Sequence, residues 1–567
     1  MINDQLAEIF TKMAAYCEMS KEKNAFFRSR AFKKAAEVLD KLPFDLSEPQ
    51  WHDEKKLVEL EGIGKGIAKH IVEYIELGKI PDYENMKAES PVDLEELLKV
   101  QGIGPKTILK LYKELGVTNL ETLKKAAEED KISNLEGFGP KKQQNIIESI
   151  QFAIRNKDRI PYFVAEQHIK ILLEYLQKDE NLIKAEAVGS YRRKAETIGD
   201  IDILACSKKP EATAKHFTSY PEVEKVFGSG ETKSSIWLKA KIQADLRIID
   251  DDCFGSALQY FTGSKDHNVK LRKIAIDKGY KLSEYGLFER KTEKLIESKN
   301  EEKIYKIIIN NYIEPELREN SGEIELAIEN KLPNLITEKD IEGDFHLHST
   351  NSDGINTIEE MANAAIERGY KAIGISDHFG ALRIANAIDE SEFRKYITDI
   401  RTTDEKISGI KIFASGEVEI NKDGELDFNH DLLKELDYVI GSVHLSTKMS
   451  RSEMTARIIK ALKDPLIKIL AHPTGRLIGQ RPGFEFDYEE VFKVAKEEGV
   501  ALEINCHPMR LDLPWDLVQL AQKIGCKIIL NTDSHSINEL KNLKYGINIA
   551  RKGWLEKENL WNPLKDY

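Results

Sequence analysis

Cysteine is scarce: Cys17, Cys206, Cys253, Cys506 and Cys526 are the five in 567 residues, and no two have CxxC spacing. This excludes a thiolate zinc site and a disulfide framework, and it fits a reducing, cytoplasmic setting. Long apolar runs are missing too. None approaches the roughly 20 residues of a membrane span, so no membrane partner is expected. Charged and polar residues begin at once in Met1-Ile-Asn-Asp-Gln-Leu-Ala-Glu8, and no signal peptide is expected. A basic excess is also absent, with 84 Lys and Arg against 97 Asp and Glu, a formal charge of −13. No global field announces a nucleic-acid binder, although acids gathered at metal sites can mask local basic surfaces. What is present, 41% hydrophobic and 32% charged residues, describes a globular chain of roughly three to five domains.

The most informative stretch is Gly189-Ser-Tyr-Arg-Arg-Lys-Ala-Glu-Thr-Ile-Gly-Asp-Ile-Asp-Ile-Leu204. Residues two apart on a strand share a face, so Asp200 and Asp202 project together while Ile201 and Ile203 point into a core. A turn at Gly189 and Ser190, with Arg192 and Arg193 behind it, offers N–H groups and guanidinium to a polyphosphate. Paired carboxylates beside such a turn suit two-metal phosphoryl or nucleotidyl transfer. A lone Asp-x-Asp is more often a solvated strand end, so the surroundings decide. Asp245, in the alternating run Ile242-Gln-Ala-Asp-Leu-Arg-Ile-Ile249, supplies a third carboxylate. Tyr260-Phe-Thr-Gly-Ser-Lys-Asp-His-Asn268 is expected as a turn with two aromatics for a sugar, followed by a helix with Arg272. From there Asn268 and Arg272 can reach base edges.

Upstream, a glycine pattern recurs three times: Leu60-Glu-Gly-Ile-Gly-Lys-Gly66, Val100-Gln-Gly-Ile-Gly-Pro-Lys106 and Leu135-Glu-Gly-Phe-Gly-Pro-Lys141. Each lies between helical stretches. Gly62 and Gly64, Gly102 and Gly104, and Gly137 and Gly139 permit tight turns whose N–H groups meet a phosphate at a helix N-terminus. Lys65, Lys106 and Lys141 add charge. The units resemble helix-hairpin-helix DNA-binding motifs, which hold backbone without reading sequence. Before them, Lys21, Lys23, Arg28, Arg30, Lys33 and Lys34 surround Phe26 and Phe27. The plain reading is a solvated basic helix face with two core aromatics.

Taken in order, Gly-Ser-Tyr-Arg-Arg, Gly-Asp-Ile-Asp, Asp-Leu-Arg and Tyr-Phe-Thr-Gly-Ser resemble family X DNA polymerases, the group of DNA polymerase beta, over roughly residues 1 to 315. The resemblance implies that Asp200, Asp202 and Asp245 are the catalytic metal ligands. It implies triphosphate contacts at Gly189, Ser190, Arg193 and Gly199, sugar-side contacts at Tyr260, Phe261 and Gly263, and minor-groove contacts at Asn268 and Arg272. One position departs. Repair members carry a Schiff-base lysine where this chain has His70, and histidine cannot form an imine. Lys69 points about 100° away around the helix, so lyase activity is expected to be weak or absent.

After a polar segment read as a linker (316–342), apolar runs of strand length recur about every thirty residues. They end in Phe345-His-Leu-His348, Ile375-Ser-Asp-His378, Ser415-Gly-Glu-Val-Glu419, Gly441-Ser-Val-His444, Leu470-Ala-His-Pro473, Glu503-Ile-Asn-Cys-His507 and Asn531-Thr-Asp-Ser-His535. Seven β–α repeats imply a parallel barrel with chemistry at the C-terminal strand ends. Imidazole and carboxylate without thiolate suit zinc, manganese or iron. The pattern resembles the PHP (polymerase and histidinol phosphatase) domain, a distorted seven-stranded barrel with three metals. The resemblance implies one metal on His346, His348, Glu417 and Asp533, a second on Glu417, His444 and His472, and a third on Asp353, His378 and His535. Arg476 and Arg510 are candidate phosphate clamps, and His507 is read as a non-ligand.

The expected architecture is therefore multidomain: α-helical helix-hairpin-helix domains (1–78 and 79–150), an α+β nucleotidyltransferase palm (151–258) with its thumb or nucleotide-selecting subdomain (259–315), the linker, and a C-terminal distorted (β/α)7 PHP barrel (343–567). The expected activities are gap-filling DNA polymerisation and 3′-5′ exonuclease action, with 3′-end cleaning and abasic-site cleavage beside them. Mg2+ or Mn2+ is expected at the polymerase carboxylates, and three divalent ions (Mn2+, Zn2+ or Fe2+) in the barrel. The partners are gapped or primer-template DNA and dNTPs, for a monomeric chain. Two rivals stay open: a phosphatase of small phosphate esters tethered to DNA, and a non-enzymatic DNA-binding scaffold.

Overall fold

The computed structural model describes residues 2–20, 23–41, 46, 51–60, 62–98, 100, 103–139, 143–144, 146–147, 150, 159–380 and 385–566. The chain divides into two compact units. One holds residues 1–157 with 479–481, and the other holds 158–478 with 482–567.

The first unit is helical. Ile2–Met19 and Ala25–Lys41 pack through Leu6, Phe10, Met13, Phe32, Ala35 and Leu39, all nearly inaccessible. Glycines mark the hairpins. Gly62 turns with φ +90°, Ile63 is buried, and Gly64 caps the helix Lys65–Leu77. Gly104 caps Pro105–Leu115, and Gly137 turns with φ +79°. Gly102 and Lys141 lie outside the described residues. Phe26 and Phe27 are not core aromatics: they are 66% and 70% exposed, because the helix turns its other face, with Phe32, inward.

The second unit opens with a five-stranded sheet in the spatial order Leu182–Ala187, Asp200–Ser207, Gln243–Ile248, Lys233–Leu238, Val223–Ser229. Helices Tyr162–Leu176 and Pro210–Thr218 belong to its core, together with Ile201, Ile203, Ile236 and Leu246. The helices Phe254–Thr262 and Lys265–Asp277, a small antiparallel sheet and the helix Glu301–Ile309 follow. Tyr260 and Phe261 therefore sit in the last turn of a helix rather than in a loop. Gly263, with φ +71°, makes the turn alone, and Ser264 caps the next helix.

Residues 316–342, read as a linker, are packed structure. Arg318 is wholly buried and pairs with Glu301, while the buried Glu323 meets the buried His267 at 2.6 Å. Buried ions require such partners. Polarity here reflects internal ion pairs, which composition cannot distinguish from solvation.

Seven parallel strands then follow in sequence order: Gly343–Leu347, Ala372–Ile375, Lys411–Glu419, Tyr438–Ser442, Ile467–Leu470, Ala501–Asn505 and Ile528–Asn531. A parallel bridge from Leu347 to Ser534 links the first strand to the segment after the last. The short strand His378–Phe379 pairs with the end of Lys411–Glu419. Apolar residues on these strands are almost all buried, as expected for a sheet covered by helices.

Candidate active sites

The first site is built on the strand Asp200–Ser207. Ile201 and Ile203 are inaccessible, which forces Asp200 and Asp202 to the opposite face. In the parallel register Asp202 lies directly beside Asp245. Gly189 is required here. Its φ is +62°, and a Cβ would stand 2.2 Å from Asp202 Oδ2. Burial, and then the charges of Asp200 and Asp245, raise the Asp202 carboxyl to about 7. Burial also pushes Asp245 upward, but hydrogen bonds from Gln243, Lys233 and Ser235 outweigh it and hold Asp245 below its usual range. Carboxylates this crowded fit divalent cations, which would relieve their repulsion.

A pocket of about 670 Å3 opens over Asp200 and Asp202. Ser190, Arg193, Tyr260, Phe261, Gly263, Asn268 and Arg272 all line it. Ser190 Oγ is buried without a hydrogen-bond partner. Arg193 donates through Nη1 to the Thr262 carbonyl at 2.6 Å and through Nε to Glu319 at 3.2 Å. Asn268 is oriented at both ends, accepting from Gln259 Nε2 at 2.7 Å and donating to the Tyr260 carbonyl at 2.7 Å. Arg272 donates to the Asn268 carbonyl at 3.2 Å. Gly199 is not in the pocket wall, but a Cβ there would stand 2.9 Å from Arg159 Nη1. Arg159 itself lines the pocket, and as an isolated basic residue it carries no sequence pattern. Arg192 is turned away, forked onto Glu301 at 2.9 and 2.8 Å.

The second site lies at the C-terminal ends of the barrel strands. Three groups of donor atoms each lie within 4.8 Å of one another: His346, His348, Glu417 and Asp533; Glu417, His444 and His472; and His348, Asp353, His378 and His535. Glu417 belongs to two groups, with His472 Nε2 at 3.0 Å from one oxygen and His378 Nδ1 at 3.0 Å from the other. His348 also belongs to two groups, one more than its sequence assignment. Burial favours the neutral form of His348 and, with the neighbouring His535 and His378, takes its pKa down to about 3. Neutral imidazole is the ligating form. Burial opposes the charge on Glu417, but His378, His444 and His346 hold it well below the ordinary carboxylate range.

His346 Nε2, His348 Nδ1, Glu417 Oε2 and His472 Nδ1 are buried without hydrogen-bond partners. Buried polar atoms are normally satisfied, and divalent ions with nitrogen and oxygen preference fit this donor set. Two carboxylates that sequence reading left unassigned support the cluster. Glu503 meets His346 Nδ1 at 2.7 Å and accepts the His472 N–H at 2.7 Å, while Glu419 accepts the N–H groups of His444 and Leu445 at 2.8 and 2.9 Å. Carboxylates behind imidazoles fix ring orientation. Their signal was period-two spacing, since Glu419 follows Glu417 by two on one strand and Glu503 precedes Asn505 by two on another. His507 lies outside all three groups. Arg510 stands 3.9 Å from Asp533. Arg476 is not aimed at a phosphate: it forks onto Glu196 of the first site's loop at 2.9 and 2.8 Å.

In the helical unit, Lys65, Lys106, Gly62, Gly64, Gly104 and Gly137 are exposed, and Gly139 is half-buried. Cβ atoms at Gly64, Gly104 and Gly139 would meet nothing within 4 Å, so the fold itself does not demand glycine there. His70 Nδ1 lies 3.0 Å from Glu73 and Nε2 lies 3.7 Å from Asp82, which also pairs with Arg28.

Family profiles match along the chain: a helix-hairpin-helix domain (1–80), a SAM-like helix-hairpin-helix tandem (94–151), the DNA polymerase beta palm (159–246), the DNA polymerase beta thumb (257–319) and a PHP domain (344–507). The chain is 36% identical to DNA polymerase/3′-5′ exonuclease PolX of Bacillus subtilis across 100% of its length and 98% of the relative's. It is 28% identical to DNA polymerase lambda of Arabidopsis thaliana, over 51% of the chain and 54% of that protein. Over 34% of the chain it is 31% identical to a probable phosphatase of Clostridium novyi, covering 78% of that protein.

Proposed function

The chain belongs to the family of DNA polymerase/3′-5′ exonuclease PolX, and from that membership we propose that it fills short gaps in DNA and trims 3′ ends at a separate centre. The observation that carries the reading is the presence of two independent donor constellations. Asp202 and Asp245 are adjacent under the Gly189 turn, and Glu417 is shared between two histidine groups.

Asp200, Asp202 and Asp245 would hold Mg2+ or Mn2+. His346, His348, Asp353, His378, Glu417, His444, His472, Asp533 and His535 would hold three divalent ions, Mn2+, Zn2+ or Fe2+. Such ions supply charge neutralisation at phosphates and lower the pKa of an attacking oxygen. At the first centre Ser190 Oγ and the Arg193 guanidinium bind the triphosphate of a dNTP. Tyr260 and Phe261 form the wall for the sugar, and the pinned amide of Asn268, with Arg272, meets base edges in the minor groove. At the second centre Arg510, beside Asp533, orients the phosphodiester of a 3′ end. The open glycine turns of the helical unit, with Lys65 and Lys106, receive backbone phosphates of gapped or primer-template DNA. End cleaning and incision at abasic sites belong to the second centre, for a monomer working in the cytoplasm. No helix among the described residues is long and apolar enough to cross a membrane.

The two centres are separable. Asp200→Ala with Asp202→Ala should abolish primer extension and leave 3′ shortening intact, and His346→Ala should do the reverse. Loss of both activities in either variant contradicts the two-centre reading.

A further inference from the structure

The nucleotide pocket is not built by the polymerase half alone. Trp515 and Lys552, both from the barrel domain, line it beside Arg193, Glu319 and Asp200. Lys552 ends the helix Leu543–Lys552 and is only 3% exposed. Lysine is almost never buried without a partner, and every partner of this one belongs to the pocket. Its ammonium donates to the Glu319 carboxylate, donates to the Arg193 carbonyl at 3.2 Å, and lies 5.3 Å from the Trp515 ring centroid. Glu319 Oε1 accepts from both Lys552 and Arg193 Nε.

From this geometry we infer that Lys552 is a positioning residue for nucleotide binding, contributed by the nuclease domain to the polymerase site. Two cations share one carboxylate oxygen, so Glu319 orients the Arg193 guanidinium without neutralising it. With Thr262 holding Nη1 and Glu319 holding Nε, the remaining donors of the fork are left for an anion. Without Lys552, the half-buried Glu319 has Arg193 as its one remaining cation at this oxygen, and it competes with the triphosphate for the same guanidinium. The tie to the Arg193 carbonyl is lost at the same time. The C-terminal domain thereby tunes nucleotide affinity at a centre whose carboxylates lie in another domain.

The test uses the full chain. Lys552→Met should raise the dNTP KM for extension on a gapped duplex by about ten- to a hundredfold, the range for losing a charged hydrogen-bond partner. With saturating dNTP, kcat should stay within about threefold, because binding rather than chemistry is altered. Trimming of the same duplex without dNTPs should stay within about twofold, since none of the partners of Lys552 is a barrel donor, and Lys552→Arg should recover most of the KM. If Lys552→Met loses trimming through misfolding, Lys552→Gln, which keeps a donor toward the Arg193 carbonyl, is read against the same expectation. An unchanged KM in a variant that still trims overturns the inference, as does a KM increase that Lys552→Arg fails to reverse. The inference rests on nucleotidyl transfer at Asp200, Asp202 and Asp245. Failure of that premise shows separately, as extension surviving Asp202→Ala.

Discussion

Replacing Glu301 with glutamine tests the electrostatic support beneath the nucleotide pocket. Glu301 begins the helix Glu301–Ile309 and is 7% exposed. Its carboxylate accepts from both Arg192 Nη atoms at 2.9 and 2.8 Å, from Arg318 Nη1 at 2.6 Å and from the Tyr312 hydroxyl at 3.0 Å. Burial raises its pKa, but the charges of Arg318 and Arg192 win and draw it from 4.5 down to about 2. At about 1.4 kcal/mol per pH unit, that fall is worth about 3 kcal/mol, the same order as breaking a buried ion pair. Because the folded-state pKa is depressed, the contribution is fully present above pH 4.5 and is lost as pH falls toward 2. A multidomain chain has no single unfolding free energy, so the assay is amide hydrogen exchange within Glu301–Ile309. Glu301→Gln should accelerate exchange there by a factor of about a hundred or more at pH 7. The gap between wild type and variant should narrow as pH falls from 4.5 toward 3. A gap of the same size at both ends of that range would refute the charge argument and leave only packing.

Further outcomes follow from the other sites. Borohydride reduction with a 5′-deoxyribose phosphate end should give no covalent adduct, because His70 has no primary amine and is held between Glu73 and Asp82. An adduct formed efficiently by the wild-type helical unit contradicts this. Removing divalent ions with a chelator should lower the midpoint of the thermal transition that unfolds the barrel, and excess Mn2+ should restore it. His346→Ala should blunt that recovery, and a full recovery in His346→Ala would show that the ions act elsewhere.

Much of this chemistry was legible because it is periodic. Alternation alone placed Asp200 and Asp202 on one face against Ile201 and Ile203, and seven strand ends carrying imidazole or carboxylate announced the barrel and its mouth. What stayed hidden depends on contacts between distant parts of the chain. Arg476 reads as a phosphate clamp until Glu196, 280 residues earlier, is seen beneath it. Lys552 carries no sequence pattern, and its role shows only through Glu319 and Arg193 beside it. The polarity of 316–342 suggested solvent exposure, yet Arg318 and Glu323 are buried with partners on other elements. Composition reports charge without reporting its partner. Tyr260 and Phe261 lie on a helix and not in a turn for a local reason: a glycine such as Gly263 ends a helix just as readily as it makes a loop.

The central claim is that one chain both makes and breaks a phosphodiester bond, at different centres. A time course on a single gapped duplex with Mn2+, with and without dNTPs, tests it most directly. With dNTPs the primer should lengthen until the gap is filled. Without them the same primer should shorten from its 3′ end. Under Asp200→Ala with Asp202→Ala, shortening should persist at the wild-type rate whether or not dNTPs are present. Phosphate release from a small ester with no change in primer length, or shortening that vanishes together with extension, would contradict the account.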